Sequence, residues 1–140
     1  MVKKQVRIYF LCMQNRCRSQ IAEAFARRYG GEHVIVESAG LEASSVHPMT
    51  ISAMEEVGID LSGHTSKRLD MKTFMNADVV VKLCEQLNER CPVVPFGIQN
   101  FEWNLPDPLA TENIEQVRIV RDQIEEKVKG LLHSLDVLDT

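Results

Sequence analysis

An apolar run, Val6-Arg7-Ile8-Tyr9-Phe10-Leu11, gives way without a glycine to the loop Cys12-Met13-Gln14-Asn15-Arg16-Cys17-Arg18, and the loop opens onto a helical pattern. From Ser19 to Arg28, and on to Tyr29, the apolar residues Ile21, Ala22, Phe25, Ala26 and Tyr29 recur at three- and four-residue spacings. That period belongs to a helix with one apolar face. A strand so nearly apolar throughout must be covered on both of its faces, which favours a parallel sheet between helices. This junction constrains the chain more than any other segment.

The remaining elements fit the same frame. Gly30-Gly31 stops the first helix, and Val34-Ile35-Val36 is a second short strand leading into Ser38-Ala39-Gly40. Pro48 to Val57 reads as a helix with Ile51, Met54 and Val57 inward and Gly58 at its end. A polar stretch from Ser62 to Asp70 precedes a short helical piece, Met71 to Met75. Asp78 to Cys84 carries the third strand, and Pro92-Val93-Val94-Pro95-Phe96 reads as a fourth, its prolines favouring an edge. Asn113 caps a last helix, with Gln116 placed for a capping box. Its inner face is Val117, Val120, Ile124, Val128, Leu131 and Leu135. The order β-α-β-α-β-β-α is that of an α/β sheet with helices on both faces, and residues 1–140 form one expected domain.

Composition removes several classes of function. The formal net charge of -4 gives nucleic acid no electrostatic footprint, so any positive potential is local, at Arg16 and Arg18. No apolar stretch approaches bilayer length, and no membrane partner is expected. Lys3-Lys4 runs straight into the first strand without a small-residue cleavage site, so a signal peptide is not expected. Four cysteines in such a chain point to the cytoplasm, where thiols stay reduced unless their chemistry is catalytic. Their separations of five, 67 and seven residues do not match the paired close spacing of structural zinc, and no metal ligand set is assigned.

The loop carries the chemistry. Backbone amides at a helix N-terminus point outward and favour negative charge, so Met13, Gln14, Asn15, Arg16, Cys17 and Arg18 can form a nest for tetrahedral oxygens. Arg18 adds a planar charged fork suited to two of those oxygens. A thiol held in that field is biased toward thiolate, making Cys12 the candidate nucleophile. Asn15 suits a left-handed conformation in a loop that lacks glycine. Ser19 has two readings, as the helix cap or as a hydroxyl donor to the Cys12 sulfur. Cys17 is either a packing thiol or a spare that traps oxidised Cys12. Asp107, in Leu105-Pro106-Asp107-Pro108-Leu109, is a candidate general acid on a stiffened loop, or simply opens a turn. Cys84 and Cys91 follow the third strand and read as a redox pair.

The string Cys12 to Ser19 resembles the signature loop of low-molecular-weight protein tyrosine phosphatases and of the arsenate reductases that share their fold. The similarity to the reductase branch continues through Glu37-Ser38-Ala39-Gly40, Met54 to Asp60, His64-Thr65-Ser66, Asp78-Val79-Val80 and Val117 to Asp122. It implies a four-stranded parallel sheet flanked by helices. Met13-Gln14 stands where a Thr-Gly pair is usual in that family, and Arg16 where serine is frequent. Leu109 stands where the phosphatases carry an aromatic residue that frames phosphotyrosine.

The resemblance implies arsenate reduction, in arsenic detoxification, with no tightly bound cofactor and an external thiol reductant. Cys12 attacks arsenate, Cys84 attacks Cys12 and releases arsenite, and Cys91 attacks Cys84. The Cys84–Cys91 disulfide is then reopened by thioredoxin or a glutaredoxin-type system. Lys82 to Cys91 is expected to form a loop able to reposition Cys84, because disulfide-forming Cα atoms must lie within about 7 Å. The alternative enzyme is a phosphatase acting on aryl phosphates. A non-catalytic oxyanion-binding module leaves Cys12 and the distal pair without a purpose. Related reductases of the thioredoxin-coupled type also hold a potassium ion through an Asn, a Glu, a Ser and an Asp. Asn15, Glu23 and Ser38 match the first three, while Lys67 stands at the Asp position. Lys67 either places its charge near Glu23 in the ion's stead or faces solvent.

Overall fold

The computed structural model describes residues 5–84 and 91–137. A four-stranded parallel sheet is formed by β1 (Val6–Cys12), β2 (Val34–Gly40), β3 (Val79–Lys82) and β4 (Gln99–Glu102), in the spatial order β2-β1-β3-β4. The helices are α1 (Arg18–Gly30), α2 (Pro48–Glu55), α3 (Met71–Met75) and α4 (Ile114–Ser134), with a 3-10 turn at Gly31–His33. Among the described residues, no helix is long and apolar enough to cross a membrane.

Alternation along β1 divides the core into two layers. Phe10 points toward α1 and α4, with its ring 6.0 Å from that of Trp103, and Lys127 of α4 lies over the same indole. Tyr9 points the other way, and its hydroxyl accepts from the backbone N–H of Asp70, the cap of α3. Helices therefore cover both faces, and Ile8, Phe10, Leu11, Val79, Val80 and Val81 are buried between them. The chain passes from β1 to β2 on one side and then crosses back from β2 to β3 on the other side of β1. In open α/β sheets such a switch point leaves a crevice beyond the carboxyl ends of the strands. Cys12 ends β1 at that crevice.

Several expected boundaries move. β2 continues through Ser38-Ala39-Gly40 instead of ending before it, in register with Phe10-Leu11-Cys12. α2 ends at Glu55, before Val57. On α4 the Asn113 side chain accepts from Glu115 N at 2.9 Å, and the buried stripe runs as expected except that Leu132 replaces Leu135 as its fully buried last member.

The expected fourth strand, Pro92 to Phe96, is a correction. No strand forms there; the segment is irregular and turns at Gly97, whose φ of 97° suits glycine. Pro92 and Pro95 have no N–H to give a ladder, and the Val93 and Phe96 side chains are exposed. The strand lies further on, at Gln99-Asn100-Phe101-Glu102, where Gln99 N donates to Asp78 O and Trp103 N donates to Lys82 O.

Candidate active site

Five successive loop carbonyls are drawn outward by donors from other parts of the chain. Glu42 N donates to Met13 O at 3.0 Å, and the Ser66 hydroxyl donates to Gln14 O at 2.7 Å. Gln20 Nε2 donates to Asn15 O at 3.2 Å, His47 N and the Thr50 hydroxyl both donate to Arg16 O at 3.1 Å, and Ile21 N donates to Cys17 O. In a planar trans peptide the N–H points opposite to the carbonyl. Tying the carbonyls of Met13 to Cys17 outward therefore turns the amides of Gln14 to Arg18 toward the centre of the loop. Asn15 makes the required turn at φ 51°, the left-handed conformation expected of it.

A pocket of about 240 Å³ is lined by the loop residues Cys12, Met13, Gln14, Arg16, Cys17 and Arg18 together with Glu42, Asp107 and Leu109. Arg18 is only 7% exposed, and its Nη1 donates to Leu105 O at 2.8 Å, which holds the guanidinium at the pocket. The same Leu105-Pro106-Asp107 segment that fixes Arg18 brings Asp107 to the wall. Asp107 also makes the turn: Oδ1 accepts from Leu109 N at 3.0 Å and its carbonyl from Ala110 N. Its two readings are thus compatible. Such a cavity, with inward amides and a buried guanidinium, suits a small tetrahedral oxyanion.

Behind the pocket, a polar chain leads to the nucleophile candidate. Cys12 Sγ and Ser19 Oγ are 2.9 Å apart. Asn15 Nδ2 donates to Ser19 Oγ at 2.7 Å and to Ser38 Oγ at 3.0 Å. Gln20 Nε2 and Lys67 N both donate to Asn15 Oδ1, at 2.9 and 2.8 Å, so the orientation of the Asn15 amide is set from both ends. An amide NH2 can only donate, so Ser19 accepts from Asn15 and has its own proton free for the Cys12 sulfur. Ser38 likewise accepts from Asn15 and donates to Glu23 Oε1. Ser19 makes no capping bond from its position, since the helix cap is Cys17 and lacks a side-chain cap bond; of its two readings, contact with the sulfur is the one the geometry supports.

Cys17 is buried, and desolvation pushes its thiol up to about 12, against a smaller opposing effect from the Thr50 hydroxyl. Burial thus favours its protonated form, in keeping with the packing reading, although Cys17 also lines the pocket. Cys84 lies two residues past β3, buried; Leu83 N donates to Leu11 O at 2.9 Å, extending the β1–β3 ladder. Cys84 therefore follows the last rung of the β1–β3 ladder, whose final pair is Leu11 with Lys82. Cys91 is half-buried, and burial raises its thiol against the opposing charge of Lys82. All four cysteines are thiols. The pocket gathers Cys12, Arg16, Arg18 and Asp107, whereas Cys84 and Cys91 are not on its walls. Of the expected repositioning loop, Lys82 to Cys91, Lys82 belongs to β3, and residues 85–90, including Leu87-Asn88-Glu89-Arg90, lie outside the described residues.

A potassium ion on Asn15, Glu23 and Ser38 does not fit these side chains. Both acceptor positions of Asn15 Oδ1 are filled by N–H donors, and Glu23 already pairs with Lys67 Nζ at 3.6 Å and Arg27 Nη1 at 3.0 Å. Sequence reasoning missed Gln20, Thr50, Ser66 and the close approach of Gly40. The only available signal was polarity at positions that an apolar pattern would fill: Gln20 and Thr50 are both fully buried.

Comparison with known proteins agrees with this fold. The family model described as low molecular weight phosphotyrosine protein phosphatase matches residues 7–138. An arsenate reductase of Staphylococcus saprophyticus is 44% identical over 122 residues, covering 87% of this chain and 92% of the relative. A solved arsenate reductase in the phosphate binding state superposes with a TM-score of 0.80 at 39% identity, covering 93% of this chain and 98% of that one. A thioredoxin-dependent arsenate reductase of Corynebacterium glutamicum gives a TM-score of 0.79 at 28% identity, covering 97% of this chain and 64% of that one.

Proposed function

The chain belongs to the low molecular weight phosphotyrosine protein phosphatase family, and from that premise we propose that it is an arsenate reductase whose nucleophile is Cys12. The observation that carries the reading is the oxyanion pocket lined by Cys12, in a chain that also carries Cys84 just past the end of β3, the strand paired with β1. A phosphatase has no use for that second thiol. The similarity to the arsenate reductase of S. saprophyticus supports the same choice.

Arsenate sits on the inward amides and the Arg18 fork. The Cys12 thiolate, held by the Ser19 proton, attacks arsenic, and an oxygen departs as water, with Asp107 as the proton donor on the facing wall. The product is a Cys12–S–As(V) adduct. Cys84 thiolate then attacks the Cys12 sulfur; the S–As bond breaks, its electron pair stays on arsenic, and arsenite leaves as a Cys12–Cys84 disulfide forms. Cys91 attacks Cys84, restoring Cys12 and leaving a Cys84–Cys91 disulfide. Two electrons have moved from two thiols to arsenic. Each exchange favours an accessible attacking thiolate and a low-pKa leaving thiol. A dithiol protein of the thioredoxin kind reopens the disulfide, a reading supported by the thioredoxin-dependent relative.

The test is anaerobic arsenate turnover with a panel of reductants, comparing the parent with Cys12→Ser. A hydroxyl is a far weaker nucleophile and cannot enter a disulfide, so the variant should release no arsenite. Arsenite production by folded Cys12→Ser would overturn the assignment, and the rate with thioredoxin against glutaredoxin identifies the donor.

A further inference from the structure

Lys67 touches the apparatus behind Cys12 at three points. Its N–H donates to Asn15 Oδ1 at 2.8 Å, and its carbonyl accepts from Gly40 N at 2.8 Å, holding Gly40 against the loop. Its ammonium lies 3.6 Å from Glu23 Oε1 and also donates to Thr65 O at 3.4 Å. Glu23 is 1% exposed, and a buried carboxylate must be paired to remain charged. Arg27 serves the other oxygen, Oε2. Oε1 is the oxygen that takes the Ser38 proton, and it is the one Lys67 shares.

We infer that Lys67 is a positioning residue: its ammonium is the built-in cation of this site, and it fixes the hydrogen-bond order from Glu23 through Ser38, Asn15 and Ser19 to the Cys12 sulfur. The geometry explains why. With Oε1 held by the ammonium, the carboxylate presents a fixed lone pair to Ser38. The Ser38 proton is then committed to Glu23, so its oxygen must accept from Asn15. Asn15, gripped at Oδ1 by the Lys67 backbone, spends its second N–H on Ser19, and the Ser19 proton is left for sulfur. An ammonium on the protein makes a free alkali cation unnecessary, which is the disagreement with the potassium site of related reductases.

The inference rests on Cys12 as nucleophile, and its test separates the two. The rate of Cys12 alkylation by iodoacetamide at fixed neutral pH, which needs no arsenate, is measured beside kcat and KM for arsenate. The proteins are the parent, Lys67→Met, Lys67→Arg and Lys67→Asp, each in potassium and in sodium buffer of equal ionic strength. Losing a partly exposed ion pair of this length corresponds to a several-fold effect. Lys67→Met should therefore lose about fivefold or less in alkylation rate and in kcat while KM stays near the parent's, and Arg27 should still pair with Glu23 so that the fold survives. Lys67→Arg should recover most of the loss. Lys67→Asp should gain activity and melting temperature in potassium over sodium. Parent-like alkylation and kcat in folded Lys67→Met would overturn the inference, as would a parent protein selectively stabilised by potassium, a result that needs no variant to fold. If the alkylation results hold while no variant or parent reduces arsenate, the functional reading fails and the positioning role stands.

Discussion

Gly40 stands directly beneath Asn15: a Cβ on Gly40 would come within 2.7 Å of the Asn15 amide nitrogen and of Met13 O. The φ of Gly40 is not left-handed, so this glycine answers a steric demand and not a conformational one. Backbone at that distance cannot swing aside as a flexible side chain can. Gly40→Ala should push the loop from its position and distort the ring of inward amides. A several-fold or larger rise in arsenate KM, with a drop in melting temperature, is the expected result. Parent kinetics in Gly40→Ala would show that the loop has slack the contact denies.

Arg18→Lys preserves charge but not shape. Guanidinium offers a rigid fork that can reach Leu105 O and an oxyanion together, whereas an ammonium is a point charge on a flexible stem. The variant should fold and lose most of kcat/KM, on the order of 100-fold, the scale of removing one preorganised donor from a developing anion. Steady-state kinetics decide; activity within a factor of two of the parent would refute the clamp.

The two distal thiols should fail at different steps. Cys91→Ser should release one arsenite per chain and accumulate a Cys12–Cys84 disulfide. Cys84→Ser should stop earlier, with neither that bond nor efficient turnover, because each exchange needs its own attacking thiolate. Non-reducing peptide mapping after one equivalent of arsenate reads the outcome. Wild-type multiple turnover by both variants with a dithiol protein donor would sink the relay.

Acid should weaken the α2–α4 contact. Hydrogen bonds from Arg118 and then Arg121 hold the Glu56 carboxyl down to about 2, from 4.5 in the unfolded chain. A depressed folded value means that the contribution is complete above the unfolded value and is lost as pH falls from 4.5 toward about 2. The melting-temperature gap between the parent and Glu56→Gln should be widest near neutrality and close across that window. Because the pair is exposed, the gap should also shrink with added salt. A gap independent of pH would assign the effect of the substitution to something other than this charge.

The strand, loop and helix around Cys12 were legible because their signals are local: an apolar run, a turn without glycine, a helical period. The same holds for Asn15, whose left-handed backbone follows from residue type, and for Asn113 as a cap. What holds the loop was not legible. Ser66, Thr50 and His47 meet it from tens of residues away, and a serine or threonine in a polar stretch looks like any other until the fold brings it to a carbonyl. β4 was misplaced for a related reason. As an exposed edge strand, Gln99-Asn100-Phe101-Glu102 needs only backbone pairing with β3, so the apolar Val93-Val94 drew attention to the wrong segment. The Lys67–Glu23 contact was one of two readings, and only the packed structure could choose it.

The outward-tied carbonyls have a thermodynamic consequence. Their donors sit on α1, on the segment after β2, at the start of α2 and before α3, so the cradle exists only when those parts are assembled together. A partly unfolded chain that loses any one of them loses part of its affinity for the oxyanion. Ligand occupancy and tertiary structure are therefore linked through mass action: an oxyanion present at about a hundred times its Kd would add about 2.7 kcal/mol to the stability of the whole domain. The oxyanion that the pocket holds would also act as a folding ligand, and the protein would be most resistant to unfolding when that ion is most abundant.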